Sequence, residues 1–407
     1  MNHSKKLLRL LFCAICIFSG KYTLLAQQSS ADSALLDRVS TLEQQVSDQK
    51  QGESHFMVVG LATVGFVANK TTTTSSGISQ KVKTNSMADA DHYELSPMLL
   101  WRHGSNLLVE FEPSFDGYGL GVNWAAISYF ATPGVIVRAG YFVLPFGTYN
   151  KRLAAGWIDK VAGDPVGVAD LPPSSDFGVE VEGGLPMGNM KWNYDVAVTN
   201  GMQLLPDGEL QGAGIVDNNK NKTITARLGW LPFQNSSLEI GVSGMFGKVG
   251  DAGSAYENLK TDMYAVDLNY VHNINPFLVN IKGQYNFIHI GDAQYANPAD
   301  SSSYTFKNQT NSGFVQLSLR PTAGDNKIVK NLELAFRYGN FKTPDASMWS
   351  QTTSSYDIGL DYWLSWRTVL KFTYQTQNIN NTVPAKLAGE ANIAKSNSFF
   401  LQFSTEF

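Results

Sequence analysis

The chain has 407 residues, of which 16% are charged and 12% aromatic, with 36 glycines and a formal net charge of −4. At a mean hydropathy of −0.15 it is too polar for a helical membrane protein, and its aromatic content is too high for a disordered one. The acidic balance leaves no basic domain for a phosphate backbone, which argues against a nucleic-acid partner.

Residues 1–26 read as a secretory signal peptide: Lys5, Lys6 and Arg9 precede an apolar run from Leu10 to Phe18, and the small Ala26 stands before Gln27. Both cysteines, Cys13 and Cys16, lie in that run, so the mature chain is expected to be free of disulfides. Residues 27–54 then form an expected linker with a short coiled coil. Leu35, Val39, Leu42 and Val46 follow the four-three-four spacing of a heptad seam. About two heptads are too few to hold alone, so the helix is expected to zip onto a larger oligomer, the alternative being a surface helix packed on its own domain.

From residue 55 to 407 the period is two. Segments of about ten residues alternate apolar with polar and are cut by Gly, Pro, Asn or Asp clusters. The expected strands are 55–68, 90–103, 106–116, 120–131, 135–146, 176–186, 190–201 and 221–231. They continue with 237–248, 260–271, 277–290, 308–320, 329–341, 353–364, 367–378 and 395–407. Short turns follow the even strands, and long polar loops follow most odd ones, at 69–89, 147–175, 202–220, 249–259, 291–307, 342–352 and 379–394. Each strand has one strongly polar face, as with Glu110, Glu112, Ser114 and Asp116 opposite Leu107, Val109, Phe111 and Phe115, and the sequence offers no second layer to cover the other. The fold class is therefore all-β: a transmembrane antiparallel β-barrel of about 16 strands, lipid outside and water inside, with the short helix at its N-terminus.

The last segment, SNSFFLQFSTEF, places Phe399, Leu401, Phe403 and Phe407 on one parity. The first three are expected to face outer-membrane lipid. Phe407 resembles the terminal aromatic by which barrel assembly machinery recognises outer-membrane barrels, which implies the outer membrane of a Gram-negative bacterium.

The fifth strand and the loop after it run AGYFVLPFGTYNKRLAAGWIDK. Together with the coiled coil, the AGYFVLPFG stretch resembles the phosphate-selective porin family, porins O and P, whose strands carry a similar G-x-F-x-x-P-x-G turn. That resemblance implies a sixteen-stranded homotrimeric anion channel with inward-folded loops and ladders of Arg and Lys. On this loop Lys151, Arg152 and Lys160 are the candidate anion contacts, with Asp159, Asp164 and Asp170 the acids of a constriction. Ordinary solvated loop charges are the alternative.

The polar parity turns Arg102, Arg138, Arg227, Lys282, Arg320, Arg337, Arg367 and Lys371 inward, against twelve acids that include Glu94, Glu110, Glu112, Glu180, Glu182 and Asp195. Acids outnumber bases, which does not favour strong anion selectivity. Lys282, Arg320, Arg337, Arg367 and Lys371 are expected to form a basic arc opposed by acids across the pore. The competing reading pairs such charges across neighbouring strands, Arg138 with Glu180 or Glu182 for example. The few histidines carry no Ser or Asp motif, and there is no metal-ligand spacing or phosphate cradle, so neither an enzyme nor a cofactor is expected. The sequence reading is a porin for small hydrophilic solutes, with phosphate or other anions implied by the resemblance. The alternative is a structural or adhesive barrel binding through its long loops.

Overall fold

The computed structural model describes residues 54–87, 93–117, 119–169, 171, 173–212, 217–298, 300–381 and 393–407. The expected leader and the expected coiled-coil segment lie outside the described residues. In chain order the strands are β1 (Ser54–Ser75), β2 (Ile78–Met87), β3 (Glu94–His103), β4 (Leu107–Asp116), β5 (Gly119–Thr132), β6 (Val135–Val143), β7 (Ser175–Met187) and β8 (Met190–Thr199). Next come β9 (Met202–Leu204), β10 (Leu210–Gly212), β11 (Thr223–Leu231), β12 (Leu238–Lys248), β13 (Lys260–Ile274), β14 (Phe277–Ile290), β15 (Tyr295–Ala296) and β16 (Ser303–Tyr304). The chain closes with β17 (Gln309–Pro321), β18 (Leu332–Lys342), β19 (Gln351–Ser365), β20 (Thr368–Asn381) and β21 (Ile393–Glu406).

Sixteen of these form the wall, each antiparallel to its sequence neighbour, with β8 meeting β11 and β14 meeting β17 across short hairpins that belong to the loops. The ring closes because β1 pairs on one side with β3 through residues 54–63 and on the other with β21 through residues 61–74. Closure leaves no unpaired backbone edge facing hydrocarbon. The last backbone rungs join Gly60 and Phe407, whose N–H groups donate to each other's carbonyls at 2.9 and 3.0 Å.

The alternation that defines the strands also sorts their faces. On β19, Tyr356, Ile358, Leu360 and Leu364 stand exposed outside while Asp357, Asp361 and Trp363 are buried inside. On β21, Phe399 is exposed outward with Leu401 and Phe403 half-buried beside it, whereas Phe400, Gln402 and Ser404 are buried within. An exposed apolar exterior around a polar interior inverts the soluble-protein rule and suits a lipid surround. At the short-turn end, Trp101 stacks on His103 with centroids 5.6 Å apart and Trp192 on Trp230 at 6.0 Å, as interfacial aromatics do.

The wall strands match the sixteen expected segments, with one clear difference at the first. Residues 69–89 were expected as a loop, but β1 continues to Ser75, turns through Ser76 and Gly77 at φ of 52° and 79°, and returns as β2. The TTTT run explains this, because β-branched threonines favour extended backbone and two consecutive positive-φ residues suit a tight hairpin. Thr71–Thr74 also pair with Ser396–Ile393 of β21, so the arm continues the wall outward.

Candidate functional site

Between β6 and β7 the chain leaves the wall, and its described residues from 144 to 174 enter the lumen. Its entry is fixed by backbone donors. Gly147 N–H donates to Ser243 Oγ of β12 at 3.0 Å, and the N–H groups of Thr148 and Tyr149 both donate to Gln284 Oε1 of β14 at 2.9 Å. Gly147 has φ 67°, and a Cβ there would collide with the Gln284 amide, so the Pro145-Phe146-Gly147 turn needs its glycine. A single π-helical turn, Tyr149–Leu153, follows.

That turn aims its two bases at the acids of one wall. Lys151 Nζ lies 2.6 Å from Glu180, 2.8 Å from Glu182 and 3.3 Å from Asp195. Arg152 reaches Asp195 at 3.3 Å and Glu239 at 3.1 Å. From the wall itself, Arg138 pairs with Glu180 and, at 2.7 Å, with Glu182. Arg227 bonds Asp267 at 2.6 Å and Glu239 at 2.8 Å. Burial alone would lower the Lys151 ammonium, but Glu180, Asp195 and Glu182 outweigh it and hold the group above its ordinary value. Glu180, Glu182 and Asp195 lie close enough together to hold a metal ion, but two bases from the loop and one from the wall already neutralise them.

The loop then crosses to the opposite wall. Arg337 of β18 donates to Asp357 at 2.7 Å, to Asp159 of the loop at 3.1 Å and to the Gly163 carbonyl at 2.7 Å. Lys282 of β14 donates to the Ile158 carbonyl at 2.7 Å and Lys371 of β20 to the Asp159 carbonyl at 3.3 Å. Ala162 N–H donates to Thr373 Oγ1 at 3.0 Å. Tyr149 is fully buried, its hydroxyl 2.9 Å from Asp159 and 2.8 Å from Asp164. Burial alone would raise the Asp159 carboxyl, but the charges of Arg337, Lys282 and Lys371 overcome it and keep the carboxyl below the usual Asp range.

The basic arc is thereby divided. Lys282, Arg337 and Lys371 do meet at one place, but beneath the loop, where they are only 2%, 3% and 1% exposed. Arg320 and Arg367 sit at the short-turn end instead. Arg320 donates to the Lys330 carbonyl at 2.8 Å, and Arg367 lies 3.8 Å over the Trp366 ring and 2.5 Å from Glu406. Lys160 rests 4.2 Å over the Trp363 ring and 3.9 Å from Glu333. Asp170 lies outside the described residues. Sequence reasoning did not single out Tyr149, Ser243, Gln284 or Thr373, although inward parity of uncharged polar side chains was the available signal for the last three.

What the loop leaves open is lined differently. On β3 to β5, Ser96 Oγ donates to Glu94 at 2.5 Å, Asn123 donates to Glu94 at 3.1 Å, and Ser128 Oγ donates to Glu110 at 2.7 Å. Glu94, Glu110 and Glu112 are half-buried and face the lumen. Cavities of about 710 Å³ on the long-loop side and about 650 Å³ on the short-turn side flank the inserted loop.

A closed sixteen-stranded ring, an apolar exterior and a loop laid across a polar lumen are now in view. The barrel has the fold of solved outer-membrane porins. Solved structures with this fold include an anion-selective porin from Comamonas acidovorans, at 15% identity and a TM-score of 0.55 over 87% of this chain and 100% of that one. The outer-membrane channel DcaP of Acinetobacter baumannii matches at 12% and 0.55 over 88% and 99%. Pseudomonas putida OprB matches at 10% and 0.51 over 92% and 97%. No protein-family model matches the chain, and no curated protein does.

Proposed function

We propose that the chain is a passive channel in the outer membrane of a Gram-negative bacterium, through which small hydrophilic solutes and ions diffuse without catalysis, cofactor or energy input. The observation that carries this reading is the inserted loop. It is bonded to both walls yet leaves water-sized space on either face, so it narrows the lumen. Reconstitution in planar bilayers tests it: discrete ohmic openings are expected, and liposomes should admit small sugars and exclude larger ones. A folded barrel that gives neither would overturn the reading.

Phosphate is the solute implied by the AGYFVLPFG resemblance, with Lys151, Arg152 and Lys160 as its contacts. The geometry lends this little support, since Lys151 and Arg152 are engaged by carboxylates and Lys160 lies against Trp363. Added phosphate should therefore leave the conductance unchanged. A trimer is proposed through barrel contacts and the short coiled coil within the linker of residues 27–54, after removal of residues 1–26. Deleting residues 30–50 should weaken it, and an oligomer of unaltered heat resistance on gels would remove the helix from assembly. Phe399, Leu401 and Phe403 are proposed to contact lipid, and Phe407 the assembly machinery. The arm of β1 and β2, exposed along Ile78–Met87, favours a second reading in which the barrel also binds external partners.

A further inference from the structure

A third cavity, of about 290 Å³, lies between the inserted loop and the wall of β1, β3 and β21. Among the described residues, its charged lining is Glu94, Asp116, Asp159 and Asp164 with Lys371. Two further atoms point to an occupant. Gln402 Oε1 and Asp159 Oδ1 are buried without a hydrogen-bond partner, and both residues line this cavity while only 5% and 4% exposed. Both are acceptors, and buried acceptors are almost always satisfied by a donor or a cation.

The three bases around Asp159 do not fill that role, and Lys282 donates instead to the Ile158 carbonyl. Arg337 donates to the other Asp159 oxygen, and Lys371 donates to the Asp159 backbone carbonyl. The remaining cations of the predicted arc are held at the short-turn rim. The side of the loop that meets this cavity therefore shows oxygen, and so does the wall opposite, where Ser96 and Asn123 fix the Glu94 carboxylate.

We propose that this cavity is a cation subsite on the permeation path, and that it makes the channel prefer small cations, inorganic or bearing an ammonium or guanidinium group, over anions. The inference rests on the diffusion reading above and adds the class of solute. A lumen with carboxylates at its open sector and its bases sequestered concentrates cations and rejects anions.

The test is the zero-current potential of the reconstituted protein under a salt gradient, with potassium chloride in one arm and guanidinium chloride in the other. The potential should take the sign of cation preference in both, and the arm with the larger shift identifies the better occupant. In Glu94→Gln/Asp116→Asn the cation-to-anion permeability ratio should fall at least about threefold. Gln402→Met, which removes an acceptor without changing charge, should lower guanidinium preference relative to potassium. Asp116→Asn alone provides the charge test if the double variant does not reach the heat-modifiable folded form. Folded channels that prefer anions, or whose preference is unchanged in these variants, overturn the subsite and leave the diffusion channel standing. A folded barrel without conductance overturns both.

Discussion

Arg337→Ala should raise single-channel conductance several-fold while the barrel stays closed. The side chain joins the β18–β19 wall to the loop through Asp357, Asp159 and the Gly163 carbonyl, and it is 3% exposed. Removing it leaves two carboxylates buried without their partner, a loss on the order of 3–5 kcal/mol. The wall is held by continuous backbone ladders on both sides of β18, whereas the loop between Ile158 and Asp164 depends on a handful of side chains. Strain at the seat is therefore relieved by releasing the loop. A thiol probe makes this visible, because both native cysteines lie in the expected leader. Ala162→Cys, at a position with 0% exposure, should resist labelling in the parent and react readily with Arg337→Ala. Parent-like conductance and labelling in that variant would show that the loop is seated by something else.

The second large effect is expected at the seam, where Gly60→Val should prevent the barrel from reaching its heat-resistant form. A Cβ at Gly60 would stand 2.6 Å from the Ser96 carbonyl oxygen, 2.8 Å from the Phe407 ring and 2.9 Å from Pro97 Cα. Two of those neighbours are backbone of the adjacent strand, which cannot move without opening the β1–β3 ladder. Overpacking of this kind costs about 1–3 kcal/mol where the surroundings can yield, and more where they cannot. Phe407→Ala provides the contrast, since it keeps both backbone bonds to Gly60 while removing the terminal ring. Gly60→Val should fail in cells and in detergent refolding alike, whereas Phe407→Ala should refold in detergent and assemble poorly only in cells. A heat-resistant Gly60→Val barrel would show that the seam tolerates a side chain.

These two positions also mark where the sequence was and was not legible. Period-two alternation identifies the wall strands because lipid and water impose opposite demands on neighbouring residues of every strand, so Ile358 and Asp357 cannot exchange faces. The same alternation says that Lys282, Arg337 and Lys371 point inward, yet not what stands in front of them. Their convergence under Asp159 depends on three strands brought together by closure and on a loop distant in sequence. The acids of β7, β8 and β12 were legible as inward carboxylates, but their neutralisation by Lys151 and Arg152 was hidden because it spans residues 151 to 239. The threonine run was misplaced in a loop because its polarity suggested solvent, while its β-branching had already favoured strand.

The loop's anchors come from β12 and β14 near its entry, and from β18, β20 and the neighbourhood of Thr63 and Ser404 at its far side. Gly156 thus lies against Thr63 and Ser404, which pair with each other across the closing seam. Contacts of such long sequence separation form late in folding, because the intervening chain must be ordered first. An incompletely zipped barrel would have an open and nonselective lumen. On the channel reading proposed above, narrowing of the lumen would then accompany completion of the ring, coupling permeability to the fidelity of the last strand.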